Sequence, residues 1–262
     1  MENPRIYGKS PCRVVLVHGG PGAAGEMGPL AKELSVSRGI LEPLQTAHTV
    51  PGQVEELRTL VERHAESPVV LVGYSWGAWL SYLLAARHPR LVAKLLLVSS
   101  GPFRERYVPD IEATRYSRLT GPEKDEIAAL LPVIEGQAGG DREKAFRRFG
   151  ELFTRTDAFD PLPSEEGEVI LDPNIFRNVW PQAAAMRASG ELIRIGSYVE
   201  CPVVALHGDH DPHPAEGVRE PLEEVLREFR FILLKECGHR PWAERRARAD
   251  FFRLLEEELS SE

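Results

Sequence analysis

Six short apolar runs, at 13–17, 40–44, 69–72, 92–98, 202–206 and 229–234, have the length and the Val, Leu and Ile content of buried strands. Between the first four lie segments whose apolar residues fall at helical spacing. The clearest is 54–64, with Val54, Leu57, Leu60 and Val61 on one stripe. Others cover 28–34 and 78–87, the latter stopped at His88-Pro89 because proline cannot continue the helical ladder. Strands alternating with helices predict an α/β fold, a mostly parallel sheet with helices on both faces. From 103 to 196 the pattern changes to helical segments alone, at 122–134, 142–153 and 175–187, broken by Gly139-Gly140 and by Asp160-Pro161-Leu162-Pro163. No strand run is predicted there. Strands then resume, and a last surface helix over 243–259 sets Ala249, Phe252, Leu255 and Leu259 on one stripe. The chain thus reads as a core made of 1–102 and 197–262, interrupted by a helical insertion over 103–196.

The third run ends in Gly73-Tyr74-Ser75-Trp76-Gly77, and a helix opens directly behind it. Strand, serine, helix is the order in which a tight turn lifts a hydroxyl above a sheet edge. Glycines two residues to either side relieve the crowding, and the helix N-terminus favours developing negative charge. Ser75 is therefore the candidate nucleophile. Such a hydroxyl needs a base, and the base needs an orienting carboxylate. Past the run at 202–206 comes His207-Gly208-Asp209-His210-Asp211-Pro212, and past 229–234 comes Lys235-Glu236-Cys237-Gly238-His239-Arg240-Pro241. Ser75, Asp211 and His239 each stand on a loop beyond the carboxyl end of a strand, where open α/β sheets place their sites. The first run leads into His18-Gly19-Gly20-Pro21-Gly22, whose three glycines let backbone approach a ligand closely. This loop lacks the Gly-Lys-Ser/Thr ending of a phosphate loop and the spacing of a dinucleotide fingerprint, which sets both nucleotide readings aside.

Together these motifs resemble the α/β-hydrolase superfamily over nearly the whole chain. The glycine loop with Ser75-Trp76-Gly77 is most similar to its proline iminopeptidase branch. The resemblance implies that 103–196 is a helical lid inserted between core strands. It also implies an opening antiparallel hairpin, here reduced to one short strand around Arg5 to Tyr7 because only about a dozen residues precede the first run. The superfamily order of serine, acid and histidine gives Ser75 as nucleophile, Asp211 as acid, with Asp209 as second choice, and His239 as base. The N–H groups of Gly20 and Trp76 would form the oxyanion hole. The implied reaction is cleavage of an ester or amide of a small substrate through an acyl-enzyme, without cofactor or metal. The chain departs from the peptidase branch at Gly39-Ile40-Leu41-Glu42-Pro43-Leu44-Gln45-Thr46-Ala47-His48, which stands in place of an Asp-x-Arg-Gly-x-Gly-x-Ser segment. Ester hydrolysis, removal of an N-terminal residue, and a catalytically quiet member that binds a small ligand all stay open. Dehalogenase and epoxide-hydrolase relatives carry Asp where Ser75 stands.

Charge and composition narrow the partners. The formal net charge is −8, and Lys and Arg are scattered rather than clustered with aromatics, so nucleic acid is not an expected partner. No run approaches the ~18 apolar residues of a membrane span, and no signal-peptide pattern opens the sequence. Three cysteines, at 12, 201 and 237, lack paired spacing, which points to a reducing compartment and a cytoplasmic enzyme. The expected partner is a small-molecule ester or peptide-like substrate. In the insertion, Phe146, Phe149, Phe153, Phe176 and Trp180 are expected to serve mostly as lid core. Glu165-Glu166-Gly167-Glu168 is read as a solvated loop, with a hold on a substrate amine as the alternative.

Overall fold

The computed structural model describes residues 3–163 and 169–260. In chain order its elements are β1 (Arg5–Tyr7), β2 (Cys12–Val17), β3 (Ala23–Ala24), α1 (Gly28–Leu34), β4 (Gly39–Glu42), α2 (Val50–His64), β5 (Val69–Tyr74), α3 (Trp76–Arg87) and β6 (Val92–Val98). The insertion follows, with α4 (Val108–Ser117), α5 (Gly121–Glu135), α6 (Arg142–Thr156), β7 (Ile170–Leu171), α7 (Pro173–Ala188) and α8 (Glu191–Arg194). The chain returns through β8 (Val203–Gly208), α9 (Glu216–Val225), β9 (Phe229–Leu234) and α10 (Arg248–Ser260).

Seven strands form one sheet in the order β1-β4-β2-β5-β6-β8-β9. All neighbours are parallel except β1, which runs antiparallel to β4. Successive strand residues point to opposite faces. Val15, Val17, Leu71, Leu95 and Leu97 accordingly pack with α2, α3 and α9, while Val14, Leu16, Val72, Leu96 and Val98 pack with α1 and α10. Burial on both faces explains why these strands read as continuous apolar runs rather than alternating ones. Helix α3 is enclosed on every side, with Trp76 through Ala86 all buried.

Three boundaries differ from expectation for identifiable reasons. Helix α2 starts at Val50, four residues early, because the Thr49 hydroxyl accepts the Gly52 N–H at 3.1 Å and Pro51 fits the first turn. The last helix starts at Arg248 rather than 243, since Pro241–Ala243 form a 3₁₀ turn and Glu244 is used elsewhere. Strand β7, within the segment predicted to hold no strand, pairs antiparallel with β3 through Ala23↔Leu171 and Ala24↔Ile170. Two residues are too few to show a periodicity.

The insertion has two parts. Leu119, Ile127 and Leu152 make a small separate core, against which Phe149 and Phe153 pack. Helix α7 instead joins the main core through Ile175, Val179 and Ala183. Phe146, Phe176 and Trp180 are half-buried, and their rings form a ladder that reaches Trp79 of α3, with Trp180 stacked on Trp79 at 5.9 Å between centroids. The acidic run at 165–168 lies outside the described residues.

Candidate active site

Strand β5 hands the chain to α3 through a single residue. Ser75 sits at φ 52°, ψ −113°, a backbone conformation that L-residues avoid, and is held there by its N–H donating to Val98 O at 3.0 Å. The turn is possible only because its flanks lack side chains. A Cβ on Gly77 would lie 2.2 Å from the Val17 carbonyl oxygen, and one on Gly73 2.3 Å from that of Gly77. The strain leaves the Ser75 side chain partly exposed while its neighbours on both sides are buried.

The glycine loop after β2 lies beside this turn. His18, fully buried, donates from Nδ1 to the Gly19 carbonyl at 2.7 Å and accepts the Gln45 N–H on Nε2 at 3.3 Å. Burial pushes its pKa down, so the ring is a neutral clasp between the loop and the segment after β4. Among the described residues, the N–H groups of Gly20 and Trp76 donate to no acceptor.

Strands β8 and β9 deliver the other two groups. His239 Nδ1 lies 2.7 Å from Asp211 Oδ2, and the Tyr74 ring flanks the imidazole at 5.0 Å between centroids. Burial alone would raise the Asp211 pKa, but His239, His213 and His207 around it outweigh that and hold it well below the usual carboxylate range. Asp209 has different work. Its Oδ1 accepts the Cys237 N–H at 3.3 Å and its Oδ2 lies 3.6 Å from Lys235 Nζ. The buried Cys237 thiol has its pKa pushed up by burial, which keeps it protonated. No hydrogen bond joins the Ser75 hydroxyl to His239 among the described residues. Such contacts are often long in unliganded sites and tighten with substrate.

Sequence reasoning missed several residues that hold this arrangement. His213 places its Nδ1 2.8 Å from Asp211 Oδ1 and stacks on His239 at 4.6 Å. His207 Nε2 donates to the His213 carbonyl at 2.8 Å. Glu244, buried, accepts three backbone N–H groups, from Gly238 at 3.1 Å, Phe159 at 2.9 Å and Asp160 at 2.7 Å. Asp157, at the end of α6, takes the His239 N–H on its carbonyl at 2.8 Å and pairs through both carboxylate oxygens with Arg115. Three histidines within 207–213 were a visible signal of the first cluster. Asp211, His213 and His239 bring their ligand atoms within 4.8 Å of one another, the nearest approach to a metal-type grouping among the described residues. Both Nδ1 atoms are committed to the carboxylate, so we read the group as hydrogen-bonded.

A cavity of about 360 Å³ adjoins the glycine loop, walled by Gly22, Gln45, His48, Ile170, Asp172 and Ile175. Ser75 is not part of that wall. Among the described residues, no helix is long and apolar enough to cross a membrane.

A parallel sheet with a strained serine between strand and helix defines an α/β protein of hydrolase architecture. The sequence profile of the alpha/beta hydrolase family matches residues 14–253, and the chain belongs to that family. A pimeloyl-[acyl-carrier protein] methyl ester esterase of Chromobacterium violaceum is 25% identical over 209 residues, covering 78% of this chain and 74% of its own. Among solved structures, VinJ superposes with a TM-score of 0.67 at 18% identity, covering 98% of this chain and 93% of its own. The enol-lactonase of Burkholderia xenovorans gives 0.61 at 18% identity, covering 99% and 96%. The matches show the alpha/beta hydrolase family and do not single out the proline iminopeptidase branch.

Proposed function

We propose that this protein is a serine hydrolase that cleaves a carboxylic ester of a small substrate through Ser75, His239 and Asp211. The observation that carries the proposal is the 2.7 Å contact between His239 Nδ1 and Asp211 Oδ2, which fixes the imidazole with Nδ1 protonated and Nε2 as a lone pair. In the first step, Nε2 takes the hydroxyl proton as Ser75 Oγ bonds to the acyl carbon. The oxyanion that forms is held by the N–H groups of Gly20 and Trp76. Asp211 stabilises the imidazolium, which then protonates the departing alkoxide. Water, deprotonated by the same nitrogen, attacks the acyl carbon, and the imidazolium returns that proton to Ser75 Oγ as the bond to it breaks and the acid leaves. Donors of the oxyanion type contribute roughly 2.7–4 kcal/mol each in measured enzymes. The helical insertion acts as the lid of this site, and three unpaired cysteines suit work in the cytoplasm. Kinship with a methyl ester esterase favours ester over peptide substrates. The glycine loop keeps aminopeptidase action as the competing specificity, and aminoacyl naphthylamides run against nitrophenyl esters separate the two.

The test is direct. A fluorophosphonate should label Ser75, and Ser75→Ala should lose turnover while keeping the wild-type melting temperature. A folded Ser75→Ala variant of near-normal activity overturns the assignment. The competing reading is a catalytically quiet member of the family that binds a small ligand. Burst kinetics with an activated ester decide between the two, since a binder gives no stoichiometric release of nitrophenol.

A further inference from the structure

We propose that a second imidazole, that of His213, is a positioning residue that fixes the Asp211 carboxylate for His239. The inference rests on the triad reading and concerns how its acid is held.

Two oxygens of one carboxylate serve two histidines. Oδ1 accepts the backbone N–H of His213 at 2.9 Å and its Nδ1–H at 2.8 Å, while Oδ2 accepts Nδ1–H of His239 at 2.7 Å. A carboxylate turns about its last side-chain bond across a broad range, so one partner does not set its plane. Two donors from a single residue on Oδ1 do set it, and they leave Oδ2 pointed at His239. His213 is itself clamped, because His207 Nε2–H donates to its carbonyl at 2.8 Å. The His213 and His239 rings lie face to face, 4.6 Å apart and inclined by 28°, so His213 also supports the side of the base.

This position must carry a neutral ring, and the surroundings keep it so. Burial, with His239 and Arg115 adding to it against the pull of Asp211, pushes the His213 pKa down to about 4. The charged and titratable groups facing it are Asp211 on its own loop, His239 on the loop after β9, His207 at the end of β8 and Arg115 from α4. A charged ring stacked there would oppose the imidazolium that His239 becomes during turnover. A neutral one supplies a hydrogen bond without that repulsion.

The experiment compares His213→Leu, His213→Phe and His213→Asn by steady-state hydrolysis of a nitrophenyl ester, with thermal melts to confirm folding. Phe keeps a ring but no donor; Asn keeps a donor at the Nδ1 position but no ring. A lost hydrogen bond to a charged group predicts that Leu and Phe lower kcat about ten-fold with KM within about two-fold. Asn should recover kcat to within about three-fold of wild type by restoring that bond. Full kcat in Leu or Phe overturns the proposal, as does an Asn variant no better than Leu. Imidazole ¹⁵N NMR on the wild-type protein at neutral pH gives a readout independent of any variant. It should find His213 neutral with the proton on Nδ1, and a charged ring or the Nε2–H tautomer overturns the proposal. Fluorophosphonate labelling of wild-type Ser75 separates the two failures: labelled enzyme with indifferent His213 variants refutes only this inference, and unlabelled enzyme refutes the triad.

Discussion

Glu244→Gln is the substitution that most directly tests whether the loop carrying His239 is held from the insertion. The Glu244 side chain is 1% exposed, and its oxygens accept N–H groups of Gly238, Phe159 and Asp160 at 3.1, 2.9 and 2.7 Å. Two of those donors belong to the segment leaving α6 and the third directly precedes His239. Gly238 itself must be glycine, since a Cβ there would lie 2.2 Å from the Asp157 carbonyl oxygen. Glutamine keeps one acceptor oxygen and turns an N–H group onto another donor. One hydrogen bond to a charged acceptor is lost, at about 1.5–3 kcal/mol, and the remaining two weaken to neutral ones. The expected total is about 2–4 kcal/mol, which for a chain of this size lowers the melting temperature by about 5–15 °C. Circular dichroism melts measure it, and hydrogen exchange at Gly238, Phe159 and Asp160 localises it. Because the loosened loop carries the proposed base, kcat should fall with it. A variant that melts within about 2 °C of wild type and keeps its kcat would show that the loop is held by other contacts.

Two further outcomes are expected. Gly77→Ala drives a methyl group against the Val17 and His18 carbonyl oxygens, at 2.2 and 2.5 Å, and should cost about 3 kcal/mol or more; an unchanged melting temperature refutes the close approach. Stability should fall as the solution is acidified, for two groups of the same sign. His213 titrates at about 4 in the fold against about 6.5 unfolded, so the unfolded chain binds more protons between those values and about 3 kcal/mol is lost as pH falls through that window. Asp211, held well below its unfolded value of about 3.9, adds a further loss below that pH. Denaturant titrations from pH 7 to pH 3 measure both, and His213→Asn should flatten the upper window; an equal slope in that variant assigns it to another group.

What the sequence disclosed and what it hid divide along contact distance. The elbow at Ser75 was legible because every requirement lies within five residues: an apolar strand, a glycine on each side and a helix behind. The sheet was legible because parallel strands covered on both faces must be apolar throughout. The choice between Asp209 and Asp211 was not local. It depends on the loop after β9, which takes the Cys237 N–H to Asp209 and the His239 ring to Asp211, both 28 residues away. Glu244 reads as one more charge in an Arg-rich stretch, and its partners Phe159 and Asp160 lie 85 and 84 residues away. The residues His207, His210 and His213 were in view, but periodicity says nothing about which imidazoles reach one carboxylate. His210 does not: its ring meets Phe159 at 5.2 Å instead.

The insertion contacts both halves of the proposed machinery through main-chain hydrogen bonds. On one side the Asp157 carbonyl, fixed by the Arg115 pair next to it, accepts the N–H of His239. On the other, β7 pairs with β3 just past the glycine loop, and the N–H of Asp172 donates to the Gly22 carbonyl at 2.8 Å. Asp172 in turn caps α7 by accepting the N–H groups of Asn174 and Ile175, which anchors that strand to a helix rooted in the main core. Base loop and glycine loop are therefore each braced from the same inserted segment. Displacing that segment would disturb the proposed base and the proposed oxyanion donors together, which makes the insertion part of the frame that sets their separation.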